Sequence, residues 1–137
     1  MSKLIFRTYL INSMSIKFKE VLRRLTFGNS GLMSELLDYF DKETKYKGYA
    51  LCIYDDSKVI GWILYSNVYL TFDGLSLANN CVLHIYVDEK YRNKGIGKKL
   101  MFQANKKIKD KVVVFPHDEK SNKLFDYCSR FMDLIKD

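Results

Sequence analysis

Residues 81–87, CVLHIYV, are apolar on both faces apart from His84. A strand of that kind needs both sides covered, so it belongs inside a sheet with a layer against each face. The next thirty residues narrow the choice further. A basic loop closes on Gly95-Ile96-Gly97, and residues 97–109 then place Leu100, Met101, Ala104 and Ile108 on one helical face. Residues 112–116, VVVFP, read as another buried strand. Strand, loop, helix and strand in this order predict a parallel crossover unit, and such units are right-handed.

The rest of the chain supplies the covering layers. Residues 3–11 read as a strand. Residues 14–27 carry a helical stripe of Met14, Phe18, Val21, Leu22 and Leu25, and a second stripe runs through Leu32, Met33, Leu36, Leu37 and Phe40, with Asn29 or Ser30 as its cap. Residues 48–67 divide into two apolar strands around Asp55-Asp56-Ser57, a hairpin. Residues 68–80 read as a loop or a short extra hairpin. Residues 121–132 form a last helical stripe with Leu124, Phe125, Cys128, Phe131 and Met132, and MDLIK leaves room for one short strand. The expected fold class is α/β (α+β), a mixed sheet with helices on both faces. A chain of 137 residues without a Pro/Gly/Ser-rich linker or repeat fits one domain, 1–137.

Charge separates the possible partners. The net charge is +7, and residues 88–111 alone hold nine Lys/Arg against three Asp/Glu. Such a run is either a solvated helix face or a site for a polyanion. A nucleic-acid stacking platform needs aromatics between the cations, and this segment has only Tyr91 and Phe102, so no nucleic acid is expected. No stretch approaches the ~18 apolar residues of a membrane span, so no membrane is expected either. Cys52, Cys81 and Cys128 are odd in number, far apart and without a CxxC pair. That usage fits reduced, buried thiols in a cytoplasmic protein, with no metal expected.

Two phosphate motifs fail at the glycine stretch. A P-loop needs Ser or Thr after its Gly-Lys, and here Lys99 follows Gly97-Lys98. The dinucleotide fingerprint needs a third glycine where Leu100 stands. Strand, basic loop, Gly-x-Gly and helix remain, and that is still an anion site. The first helical N–H groups lack intrahelical partners, the helix dipole adds to them, and glycine lets an anion come close.

The stretch HIYVDEKYRNKGIGKKLM resembles the acetyl-CoA-binding motif of GNAT-type N-acetyltransferases, reading Arg92-Asn93-Lys94-Gly95-Ile96-Gly97. The element order of the chain is similar as well. The resemblance implies a mostly antiparallel sheet with a parallel β-α-β unit that binds acetyl-CoA. It implies that N–H groups from Arg92 to Lys98 hold the coenzyme A pyrophosphate, with Lys90, Lys94 and Lys98 steering by charge. Main-chain groups of Ile85 and Val87 would pair with the pantetheine arm and the acetyl carbonyl. The acceptor is a small-molecule or protein amine, and the protein is a monomer or homodimer.

Acetyl transfer to an amine makes three demands: a neutral amine, donors for a developing oxyanion, and an acid for the departing thiolate. No acyl-enzyme is required, so the cysteines need no catalytic role. The resemblance puts the acid on a Tyr of the last helix, where Tyr127 is the candidate; packing of an amphipathic Tyr is the other reading. Asn122 either contacts the pantetheine arm or begins the helix. The spacing from Asn122 to Tyr127 is shorter than usual in that family. The positions where many relatives carry a base are Leu83 and Cys81 here. His84 lies between them, so it faces the opposite side unless a bulge shifts the register. It is read either as a catalytic residue or as a core histidine. His117 and Asp73 are further loop candidates. The same sequence also allows a module that keeps the fold and binds coenzyme A with little or no turnover.

Overall fold

The computed structural model describes residues 3–25, 37–42, 47–71, 74–107, 112–114 and 119–136. Six strands form one sheet in chain order: β1 (Leu4–Leu10), β2 (Gly48–Asp55), β3 (Lys58–Thr71), β4 (Gly74–Val87), β5 (Val112–Val114) and β6 (Leu134–Lys136). The first four are antiparallel neighbours, while β5 lies parallel to β4 and β6 parallel to β5. Helix α1 (Ile16–Leu25) and the helical segment 37–42, here α2, fall between β1 and β2. Helix α3 (Ile96–Lys107) joins β4 to β5, and α4 (Glu119–Cys128) joins β5 to β6. This is the expected mixed sheet with its parallel unit.

Period-two alternation divides the core between the two faces. Along β2, Ala50 and Cys52 join Leu22, Leu37, Phe40, Trp62 and Leu64 under α1 and α2. Leu51 and Ile53 join Ile63, Leu100, Met101, Ala104, Phe125 and Cys128 under α3 and α4. Both faces of β2 and β3 are therefore covered, which is why these strands read as continuous apolar runs.

Local signals fix the helix on the first face. Ser15 Oγ accepts the N–H of Phe18 (3.2 Å), a side-chain cap that starts α1 at Ile16 and leaves the buried Met14 outside it. Lys19 is only 4% exposed, yet its ammonium reaches Asp41 of α2 (2.8 Å). Arg23 reaches Asp38 at the same distance, 2.8 Å. Ion pairs thus supplement apolar packing between α1 and α2.

Of the two readings of residues 68–80, the extra hairpin holds among the described residues: β3 and β4 continue to pair as far as Thr71↔Gly74, past an irregularity between Ser66 and Val68. The polar Asn67, Asn79 and Asn80 disfavour a strand by propensity, and ladder pairing with a long partner overrides that preference. The last helix stops at Cys128, whose carbonyl accepts the N–H groups of Phe131 (2.9 Å) and Met132 (3.1 Å) in a closing turn before β6. The stripe residues Leu32, Met33, Leu36 and Ile108, the caps Asn29 and Ser30, and the loop candidates Asp73 and His117 lie outside the described residues.

Candidate active site

The loop after β4 is tied residue by residue. Asp88 N–H donates to Ile60 O of β3 (2.7 Å), its carboxylate accepts Lys90 N–H (3.0 Å) and its carbonyl accepts Tyr91 N–H (2.8 Å). These bonds wind Glu89–Tyr91 into a single 3₁₀ turn. Arg92 Nε then reaches back to Val87 O (2.9 Å), and its guanidinium lies 5.9 Å from the centre of the Tyr86 ring. Asn93 (φ 63°) and Gly95 (φ 78°) adopt left-handed backbone, which Asn tolerates and Gly adopts freely. The Gly95 carbonyl accepts Lys99 N–H (3.1 Å), the opening bond of α3. The N–H groups of Ile96, Gly97 and Lys98 precede that bond and have no partner within the helix.

The two glycines serve different ends. A side chain at Gly95 would meet nothing within 4 Å, so that position is constrained by backbone conformation alone. A Cβ at Gly97 would come 3.3 Å from Leu124 Cδ2, so this glycine lets α4 pack closely on α3. Access for an anion, the reason expected for both, is joined at Gly97 by a helix contact.

Around the start of α3 lies an open cleft of about 660 Å³. Ile85, Tyr86 and Val87 of β4 form one wall, the segment Tyr91 to Lys98 without Lys94 a second, and Glu119, Lys120, Ser121 and Leu124 of α4 a third. Eight of the expected residues thus come together here: Ile85, Val87, Arg92, Asn93, Gly95, Ile96, Gly97 and Lys98. Lys94, Asn122, Tyr127 and His84 are not among the lining residues. Sequence reasoning brought Asn122 and Tyr127 of this last helix to the site but missed the α4 residues that line it, Glu119, Lys120, Ser121 and Leu124. Both α3 and α4 follow parallel strands, so both helix starts lie at the carboxyl ends of those strands, where open α/β sheets place ligands. That rule would have pointed to Glu119, Lys120 and Ser121.

The β4 wall offers main-chain groups. From Gly61↔Val87 to Leu64↔His84 its register with β3 is unbroken, and Asp88 N–H points at β3. Peptide groups alternate sides along an antiparallel strand, so those of Tyr86 face β3 and those of Ile85 and Val87 face away from it. Among the described residues β5 pairs with β4 only at Cys81↔Val113, well before this point.

Positive charge dominates the rim through Arg92, Lys98 and Lys120. Lys98 Nζ sits 4.0 Å from the centre of the Tyr127 ring, so Tyr127 stands one side chain behind the cleft wall, also in contact with Phe131 (5.4 Å). Asn122 is exposed on α4, and because that helix begins at Glu119, Asn122 does not start it. Burial, with Asp88 nearby, holds the Tyr86 phenol above its ordinary value. Burial also pushes Cys128 up to about 11 and Cys52 up to about 12, so neither is a thiolate nucleophile at neutral pH.

His84 occupies the other face. Between Leu64↔His84 and Tyr65↔Val82 the β4 chain advances two residues against one, a bulge at Leu83. Val82 therefore shares the α3/α4 face with Ile85 and Val87, whereas Tyr86 and His84 lie with Trp62 on the face of α1 and α2. Trp62 Nε1 donates to His84 Nδ1 (3.3 Å) and stacks on Tyr86 at 4.6 Å. Indole N–H can only donate, so Nδ1 carries a lone pair and the neutral ring holds its proton on Nε2. In this arrangement the Nδ1 lone pair of His84 is engaged by Trp62.

Among the described residues no three His, Cys, Asp or Glu side chains gather as metal ligands, and no helix is long and apolar enough to cross a membrane. The sequence matches the family model of the acetyltransferase (GNAT) family over residues 18–128. No curated protein matches it. Solved structures with a similar fold include an aminoglycoside acetyltransferase from an uncultured soil metagenomic sample, in complex with sisomicin (14% identity, TM-score 0.59, covering 93% of this chain and 86% of that one). Another is the ribosomal-protein-alanine N-acetyltransferase of Brucella melitensis biovar Abortus 2308 (18%, 0.60, 91% and 89%). A third is a predicted acetyltransferase from Clostridium acetobutylicum, solved with acetyl-CoA (12%, 0.64, 96% and 91%).

Proposed function

Because the chain belongs to the GNAT acetyltransferase family, we propose that it is an N-acetyltransferase that moves an acetyl group from acetyl-CoA to a primary amine by direct attack, with both substrates bound together. Acetyl-CoA, when bound, supplies the acetyl group as an activated thioester. The cleft suits its polyanionic end. Three N–H groups open α3 beside the left-handed Asn93 and Gly95, and Arg92, Lys98 and Lys120 set a positive rim. Lys94 adds charge from outside the wall. Ile85 offers its main-chain groups and Val87 its N–H to the amide-bearing arm and the carbonyl oxygen, the Val87 carbonyl being held by Arg92 Nε. Asn122 is a candidate contact from α4.

Tyr127 is proposed to hold the proton that the leaving sulfur takes up, and it adjoins the cleft through Lys98. His84, with its proton on Nε2, is proposed as a donor that orients groups on the α1/α2 side. The acceptor amine arrives mostly as its ammonium, since a free lysine sits near pKa ~10.4, so it gives one proton to water before the neutral amine attacks and a second to water as the C–N bond forms and the C–S bond breaks. A small-molecule or protein amine fits the reading, in keeping with fold neighbours named for an aminoglycoside and for a ribosomal-protein alanine. We place the protein in the cytoplasm as a monomer or homodimer.

The observation that carries this reading is the left-handed Gly95 before helical N–H groups that lack an intrahelical partner, in a cleft lined by Arg92, Lys98 and Lys120. Incubation with acetyl-CoA and a panel of amines should release free thiol. Calorimetry showing no coenzyme A binding would sink the proposal. The Trp62–His84 bond and the position of Tyr127 behind Lys98 favour a second reading, a domain that binds coenzyme A without turnover. It predicts binding without thiol release.

A further inference from the structure

Tyr91 and Asp55 are 36 residues apart and meet at a hydrogen bond of 2.6 Å, from the Tyr91 hydroxyl to Asp55 Oδ2. Asp55 is the last residue of β2, just before a tight turn in which Asp56 takes φ 55° and its N–H donates to Lys3 O (3.2 Å). Tyr91 closes the 3₁₀ turn that leads into Arg92, and its ring packs with the α3/α4 core. It also lines the cleft, and Lys94 Nζ lies 5.7 Å from its ring centre. The loop is therefore held at its start by Asp88 on Ile60 and midway by Tyr91 on Asp55.

The other Asp55 oxygen, Oδ1, is buried and has no hydrogen-bond partner among the described residues. An oxygen in that position gains little from water, which leaves the phenol on Oδ2 to compensate the group. The bond in turn keeps the Tyr91 phenol protonated, above its ordinary value, as a donor.

We infer that Asp55 is a positioning residue for the proposed coenzyme A site, acting through Tyr91 to hold the Arg92–Gly95 backbone in its anion-binding form. The inference rests on the coenzyme A reading proposed for this cleft. Two left-handed residues close together are a minority conformation of a free loop, and only chain in that form presents its N–H groups to one anion. A ligand binds more weakly in proportion to the fraction of molecules that lack the competent form. Loosening the anchor should therefore act on the affinity for the donor and leave the chemical step alone.

The experiment is coenzyme A calorimetry with steady-state kinetics on the wild type, Tyr91→Phe, Asp55→Ala, Asp55→Asn and the Tyr91→Phe/Asp55→Ala double variant. A hydrogen bond to a charged group is typically strong enough that its loss should weaken coenzyme A binding about tenfold. Tyr91→Phe and Asp55→Ala should each raise the Kd and the acetyl-CoA KM by that factor. The double variant should add little more, and kcat at saturating donor should hold. Asp55→Asn keeps an acceptor oxygen and should recover most of the affinity. Unchanged Kd in a folded Tyr91→Phe overturns the inference, as does a fall confined to kcat. Equal losses for Asp55→Asn and Asp55→Ala also overturn it. If the wild type itself binds no coenzyme A, the functional reading fails and this inference with it.

Discussion

On the α3/α4 face, the cleft is drawn largely from the main chain: left-handed Asn93 and Gly95, the first N–H groups of α3, and the outward peptide groups of Ile85 and Val87. On the α1/α2 face the notable features are side chains. Lys19 and Arg23 pair with Asp41 and Asp38, and Trp62 stacks on Tyr86 while holding the His84 ring. A main-chain site depends on conformation, and glycine spacing at a helix start records conformation in the sequence. A side-chain surface depends on which residues meet across distant strands, and no short motif records that. The bulge at Leu83 turns Val82 onto the α3/α4 face, while plain alternation keeps His84 beside Tyr86 on the α1/α2 face.

The largest expected effect lies on the α3/α4 face, at the proposed chemistry on α4. A general acid contributes roughly 100-fold or more, so Tyr127→Phe should lower kcat by about that factor with little change in coenzyme A affinity. Unaltered turnover would assign Tyr127 to packing and favour the domain without turnover.

Next come the two glycines. Gly95→Ala must place a side chain at φ 78°, which costs about 1–2 kcal/mol, or roughly tenfold or more in coenzyme A affinity if the loop relaxes. Gly97→Ala crowds Leu124 at 3.3 Å, so it should lower the melting temperature, and Leu124→Ala should relieve it. Calorimetry and thermal unfolding of both variants check this. Relief of Gly95→Ala by Leu124→Ala would contradict the division of roles.

On the opposite face, Trp62→Phe keeps a stacking ring and deletes the donor to His84. Because Trp62 is fully buried, the smaller ring also leaves a cavity, so the variant should cost more than the ~0.5–1.5 kcal/mol of a lost hydrogen bond while leaving coenzyme A affinity as it was. Nitrogen-15 shifts of the His84 ring should show the proton on Nε2 in the wild type and a mixture of tautomers in the variant. A parallel loss of coenzyme A affinity would mean the two faces are not separable.

The smallest effect is one of pH. The Lys19 ammonium holds the Asp41 carboxyl below its ordinary 3.8, so the unfolded chain takes up that proton more readily than the folded one. The resulting stability is full above pH 3.8 and fades as pH falls through the lower folded value. Asp41→Asn should abolish this acid-side slope in denaturant titrations, and an identical slope in the variant would remove the pair from the account of the α1–α2 contact.

Much of the fold was legible because its signals are local. Apolar runs marked β2 and β3, Asp55-Asp56-Ser57 marked the hairpin turn, and the Arg92–Gly97 run marked the loop and helix start. The limits have physical causes. Residues 68–80 left a loop and a hairpin both open, because Asn79 and Asn80 disfavour a strand that pairing of β3 with β4 then extends. The α4 wall of the cleft carries no motif of its own, because its place comes from topology and not from a side-chain pattern. Nothing in DEKYRNKGIGKKL shows that Tyr91 will meet an aspartate 36 residues earlier.

The central claim is that the start of α3 binds coenzyme A, and backbone amide NMR during a coenzyme A titration tests it most directly. Binding there should shift the amides of Asn93 to Lys98 first and most strongly, with Ile85 and Val87 following, while α1 and α2 stay nearly still. No shifts at coenzyme A concentrations in the millimolar range, or shifts centred on α1 and α2, would contradict it.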